Sequence, residues 1–324
     1  MNPRFFLAAA AALLAATAGV PAFAQADFPV KPVRLVVPFP PGGATDVLGR
    51  IAARRLGDLW GRSVVVENKP GASGHVGAAE VARSAPDGYT LVAGTIGIHA
   101  AHKMYKKLSY NPAADLQVIT ILAEQANLLI VHPAVPAKSV GELVALAKAE
   151  PGKLNYASAG PGSSIHMVTE LFILATGAKF THVPYKGSGP ALTDLMGGQV
   201  QLIFENFPTG LPLVRGNKVR PLAVTGAKRE AALPEVPTVA ETVAPGFAAT
   251  SWFTLAAPRG VPAALLEKIQ ADLKRAVSPP EIADELRAQG IGLVVNTPAE
   301  AAKFVAAETG KWNRVIDAAK IEVQ

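Results

Sequence analysis

Residues 33–46 read Val33-Arg34-Leu35-Val36-Val37-Pro38-Phe39-Pro40-Pro41-Gly42-Gly43-Ala44-Thr45-Asp46. A short apolar run ending in a proline and glycine turn is the pattern of a strand buried in a parallel sheet. Directly after it Val47, Leu48, Ile51, Ala52 and Leu56 recur at helical spacing, so the turn joins the carboxyl end of a strand to the start of an amphipathic helix. In an open α/β sheet ligands lie beyond the carboxyl ends of the strands. A helix N-terminus there offers unpaired N–H groups and a favourable dipole to an anion. Gly42 and Gly43 permit close approach of the backbone to a guest, and Thr45 or Asp46 is placed either to cap the helix or to bond a ligand.

The construction recurs. Leu154-Asn155-Tyr156-Ala157-Ser158 leads into Ala159-Gly160-Pro161-Gly162-Ser163-Ser164-Ile165-His166 and then into the helical pattern of Met167, Leu171 and Leu174. Two such loops facing each other hold an anion at both ends without a buried arginine, hydrogen bonds to the charged form replacing lost water. Further apolar runs at 63–67, 90–93, 128–131, 200–204, 219–225 and 293–295 alternate with helical periodicities, which argues for α/β layers. Pro262, Pro280 and Pro298 each mark a helix start, where a missing N–H costs nothing.

The first 24 residues read as an export signal: Arg4, an apolar stretch from Phe5 to Ala18, and the small-x-small site Ala22-Phe23-Ala24. The stretch is shorter than the roughly 20 residues of a spanning helix, and cleavage near Ala24 leaves a free product, expected in the periplasm. The chain has no cysteine, which excludes disulfides, thiol catalysis and thiolate metal sites. Cutting after Ala24 removes Arg4 and lowers the formal charge from +6 to +5; lysines and arginines are scattered, so no nucleic-acid partner is expected. The length favours two domains: the signal at 1–24, a first lobe over 25–124, a second over 125–246, and a return segment with C-terminal helices over 247–324 that completes the first lobe. Two crossings between lobes make a hinge.

Further stretches then matter together: Asn68-Lys69-Pro70-Gly71-Ala72-Ser73-Gly74, Pro86-Asp87-Gly88-Tyr89-Thr90-Leu91, Val183-Pro184-Tyr185-Lys186-Gly187 and Ala257-Pro258-Arg259-Gly260-Val261-Pro262. With the two glycine loops, and in this order and spacing, they resemble the Bug-type receptors of tripartite tricarboxylate transporters over nearly all the mature chain. The resemblance implies a type II periplasmic-binding-protein fold, two Rossmann-like lobes with a hinge and a central cleft. It implies a monomeric receptor for a small carboxylated solute, delivered to a membrane permease with a large and a small subunit. The alternative is an exported sensor component that docks on a membrane kinase. Carried across motif by motif, the ligand shell is Phe39, Gly42, Gly43 and Asp46 opposite Ser158, Ala159, Gly160, Ser163 and His166. Gly74 and Thr95 line the wall, and Tyr185 and Asn206 complete the set. Lys186 is placed either to meet a distal carboxylate or as a solvated side chain.

Departures from the family pattern limit the choice of ligand. The stretch from Thr95 to His102 is less polar than its counterparts, which favours a bulkier or more apolar guest, and His75 and Glu205 stand where relatives usually carry other residues. Neither a catalytic set nor a metal set is legible: His99 and His102 have no companion carboxylate pattern, and 71–75 misses the last glycine of a nucleophile elbow. The expectation is therefore a binding protein with no cofactor and no catalytic residues.

Overall fold

Buried parallel strands need apolar cover on both faces, and here the flanking helices supply it. The computed structural model describes residues 28–324, so the export signal expected over 1–24 lies outside the described residues. The chain opens with β1 (Val33–Val37), α1 (Ala44–Trp60), β2 (Val64–Asn68), α2 (His75–Ala82) and β3 (Thr90–Thr95), then enters the long strand β4 (Leu116–Val131). It continues through α3 (Val140–Ala149), β5 (Asn155–Ser158), α4 (Ser164–Thr176), β6 (Thr181–Pro184), α5 (Ser188–Met196), β7 (Leu202–Asn206), α6 (Phe207–Arg215) and β8 (Arg220–Val224). It returns on β9 (Thr250–Pro258) and ends with α7 (Ala263–Val277), α8 (Pro280–Ala288), β10 (Gly292–Leu293) and α9 (Pro298–Ala319).

In the first lobe β1 lies between β2 and β3, parallel to both, and β9 runs antiparallel to β3. Leu35 and Val37 face Leu48, Ala52 and Leu56 of α1 and Leu266 and Ile269 of α7, while Val36 packs with Ala78 and Val81 of α2 on the other face. In the second lobe β5 runs parallel to β6 and β7, and β4 runs antiparallel to β7 and β8. The twin strand, turn and helix units of the sequence thus fall in two different sheets, one in each lobe.

β4 belongs to both sheets. Its first part, from Leu116 to Ala126, pairs with β9, and its last part, from Asn127 to Val131, pairs with β7. Only 128–131 reads as a strand from sequence, because Glu124, Gln125 and Asn127 break the apolar run where the chain passes between lobes. A buried polar knot closes that passage: Asn127 N donates to Thr225 Oγ1 at 2.7 Å, Ser251 Oγ to Asn127 Oδ1 at 2.8 Å, and Thr225 Oγ1 to Ala249 O at 2.8 Å.

The C-terminal segment divides. α7 and α8 complete the first lobe's core through Leu265, Ile269, Leu273 and Leu286. α9, expected with them, buries Ala301, Trp312, Val315 and Ile316 in a core shared with Val140, Leu143, Met167 and Phe172 of α3 and α4. Helical periodicity gives a helix its apolar face but not the core that face meets. Glu308 fixes the docking by accepting from Trp252 Nε1 of β9 at 2.9 Å and Trp312 Nε1 at 2.8 Å. Trp312 has no exposed surface. Its replacement by alanine should cost about 3–5 kcal/mol; urea unfolding reads this as a lowered midpoint, and a loss below about 1 kcal/mol would contradict the docking of α9.

Candidate ligand-binding cleft

Five helical N-termini converge where the lobes meet. The inner cleft is lined by Gly43, Ala44 and Thr45 at the start of α1, by Ser163, Ser164 and Ile165 at the start of α4, by Ser188 opening α5, by Asn206 before α6, and by Thr95 before the helical turn Ile96–His99. The first amides of a helix have no intrahelical partner, and the aligned peptides place about half a positive charge there. Gly43, Thr95, Gly187 and Asn206 occupy the N-cap positions without any side-chain cap bond; among these ends only Ser163 caps, accepting from His166 N at 3.3 Å. Phe39, Pro40, Ala159 and Phe253 complete the lining, which contains no lysine or arginine. The enclosed space is about 20 Å³, room for about one water molecule, so a larger solute reaches it only when the lobes part.

Phe39 also borders a second, outer compartment of about 240 Å³, lined by Gly71 to Gly74, Tyr105, Gly160, Pro161, Pro184, Tyr185 and Lys186. Ala72 and Ser73 there hold φ of 45° and 47°, a left-handed backbone that costs non-glycine residues of order 1–3 kcal/mol each, and Ser73 Oγ has no hydrogen-bond partner. The lobes touch along this seam. A methyl group on Gly160 would stand 2.5 Å from Ser73 Oγ, and one on Gly187 would stand 2.8 Å from Pro40 Cδ. At Gly160 any side chain would hold the lobes apart.

Several residues expected in the ligand shell support the loops. Asp46 is buried and both its oxygens are engaged: Oδ2 accepts from Gly42 N at 3.1 Å and Arg50 Nε at 3.0 Å, Oδ1 from Asn68 Nδ2 at 2.9 Å. Burial alone would raise its pKa, but the hydrogen bonds from Arg50, Asn68 and Gly42 outweigh it and hold the carboxyl below its ordinary value. Asn68, whose motif was legible but whose role was not, also donates to Phe39 O at 2.9 Å. Gly42 takes φ of 86°, whereas Gly43 is extended at −86°, so only the first needs glycine for its backbone. Opposite, Ser158 Oγ accepts from Gly160 N at 3.1 Å and shares a hydrogen bond with His182 Nε2 at 2.7 Å; His166 Nδ1 accepts from Gly162 N at 3.0 Å. His166, His182 and Tyr156 stack beneath the loop, with ring centroids 4.2 and 4.6 Å apart. The glycine amides therefore rest on two neutral imidazoles.

Of the remaining expected residues, Phe39, Gly43, Thr95, Ala159, Ser163 and Asn206 line the inner cleft, and Gly74, Gly160 and Tyr185 line the outer compartment. Thr95 Oγ1 is buried without a partner, while Tyr185 Oη donates to Asp194 at 2.7 Å. Ile96 and Ile98 are wholly buried in cores and line neither space, which removes the reason for expecting a bulkier guest. His75 lies beneath the turn, 2.9 Å from Tyr110 Oη, and burial lowers its pKa to about 4. Ser188 was not foreseen, although Gly187 before a helical run repeats the strand, glycine and helix signal of the other loops.

Comparison with known proteins agrees with this geometry. The family described as "Tripartite tricarboxylate transporter family receptor" matches residues 48–321. Protein BugT of Bordetella pertussis is 37% identical over 313 residues, covering 96% of each chain. Among solved structures, an R. palustris protein with adipate is 40% identical at a TM-score of 0.88, covering 91% of this chain and 99% of its own. MatC from Rhodopseudomonas palustris with bound malate is 33% identical at 0.84, covering 89% and 100%.

The imidazoles beneath the second loop set a pH limit. Burial lowers His166 to about 3, with help from His182, and lowers His182 to about 4. The unfolded chain takes protons on both below about pH 6.5 while the folded one does not, so their contribution is intact above that pH and is lost as pH falls toward 4. Urea midpoints should fall steadily from pH 6.5 to 4, and less steeply in His182→Gln; a flat profile would show that these rings do not bear on folding.

Proposed function

The chain belongs to the tripartite tricarboxylate transporter receptor family, whose members are periplasmic solute-binding proteins, and we propose that it captures a small organic anion bearing a carboxylate between its lobes. The carrying observation is the convergence of uncapped helix starts on a cleft without basic side chains. Backbone amides and hydroxyls in such a place recognise charge by directed hydrogen bonds, each about twice as strong toward an anion as toward a neutral acceptor. The relatives solved with adipate and malate favour a dicarboxylate, with one end among the helix starts and the rest past Phe39 toward the outer compartment.

In this reading the amides of Ala44, Thr45, Ser164 and Ile165 and the hydroxyls of Thr95 and Ser188 meet the carboxylate. Asp46, Ser158 and His166 hold the loops in position. The protein works in the periplasm as a monomer and passes its solute to a permease of large and small subunits. Closure follows binding because the bridging contacts form only when both lobes face the guest.

Calorimetry against mono- and dicarboxylates should find at least one saturable one-to-one ligand, and silence across a broad panel would refute the proposal. A β carbon on Gly43 would stand 3.8 Å from Ser188 Cβ across the cleft, in ordinary contact. The branched methyls of Gly43→Val then fill the inner space. Affinity should fall at least about tenfold, or about 1.4 kcal/mol, with the urea midpoint little changed. Retained affinity would take this loop out of the site.

A further inference from the structure

Glu205 precedes Asn206 at the end of β7, and its side chain has no exposed surface. Oε1 accepts from the Asn206 amide at 3.0 Å and from the Thr209 hydroxyl at 2.7 Å, while Oε2 has no hydrogen-bond partner. Gly210 of α6 lies against its methylenes, with Leu128 of β4 alongside. From α5 comes Ser188, whose hydroxyl sits beside the carboxyl and which also lines the inner cleft. The groups acting on this carboxyl are all uncharged. Of the charged groups on the elements packed around it, Asp46 of α1 is held by Arg50, Asp194 of α5 by Tyr185, Glu124 of β4 by Thr250, and Glu170 of α4, the helix that also carries His166, by Tyr156. Arg215 closes the last turn of α6.

A buried carboxylate with an idle oxygen is costly, and burial pushes Glu205 up to about 6 against the weaker pull of Thr209, the Asn206 amide and Ser188. The neighbouring cleft is built to receive a second negative charge. Two anions in one water-poor region repel far more than they would in solvent. A proton on Glu205 removes that repulsion.

We propose that Glu205 is a proton site coupled to the cleft, so that the protein takes up one proton with each anionic solute it captures. This rests on the carboxylate reading of the cleft. The proton goes to Oε2, which changes from an idle acceptor to a donor, and the Ser188 hydroxyl is left for the solute. An anion in the cleft raises the Glu205 pKa above its value in the free protein. Affinity is therefore highest below about pH 6, falls through the interval between the free and bound values, and is level above it.

Calorimetry of adipate binding at pH 7, in two buffers of different ionisation enthalpy, reads the uptake directly. Uptake approaching one proton is expected, with a dissociation constant about tenfold weaker at pH 8.5 than at pH 7. In Glu205→Gln the uptake should vanish and the affinity become flat over that range, whereas Glu205→Asp should retain both effects. Should Glu205→Gln fail to fold, carbon-13 NMR of the Glu205 carboxyl in the unmodified protein decides, since its titration must move to higher pH when adipate is added. Binding without buffer dependence, uptake that persists in Glu205→Gln, or an unmoved titration overturns the coupling and leaves the carboxylate reading standing. Failure of adipate and of every other carboxylate to bind overturns both.

Discussion

Like ends of helices repel, and this fold gathers several of them at one place. α1, α4, α5 and α6 each bring an N-terminus of partial positive charge to the cleft, most of them without a capping side chain. Such a ring is stable only where something negative or hydrated offsets it, and two built-in carboxylates do part of this. Asp46 accepts from the Gly42 amide, and Glu205 accepts from the Asn206 amide. The remaining amides are left for a guest. Much of the local architecture, including the stacked imidazoles and the Asn68 bridge to Phe39, keeps those amides where they are.

The second constraint is that both lobes share one central strand, β4. Because β4 pairs with β9 and then with β7 and β8, the lobes are joined by a ladder of hydrogen bonds rather than by loose linkers. The knot of Asn127, Thr225 and Ser251 satisfies the polar groups buried at the passage. A passage of this kind bends by small changes spread over a few residues, which suits closure about a cleft.

The two strand, turn and helix units were legible because their signal is local: an apolar run, prolines and glycines, then helical spacing. What the sequence withheld was direction. Asp46, Ser158 and His166 were legible as members of the two glycine units, but nothing in a one-dimensional pattern tells whether a polar side chain turns outward or back to its own backbone. The length of β4 was hidden because a strand crossing between lobes is polar where a strand within one lobe is apolar. α9 was visible as a helix, yet the helices α3 and α4 that it packs on lie far earlier in the chain and leave no mark on its own spacing.

That last helix also orders events in time. The first lobe's core needs Phe253, Ile269 and Leu286, and the other core needs Trp312, so neither is complete until nearly the whole chain has been made. A polypeptide emerging from its N-terminus carries two unfinished interiors to the end of synthesis. Tertiary structure is thus deferred until the chain is complete, and neither interior can close around a partial product.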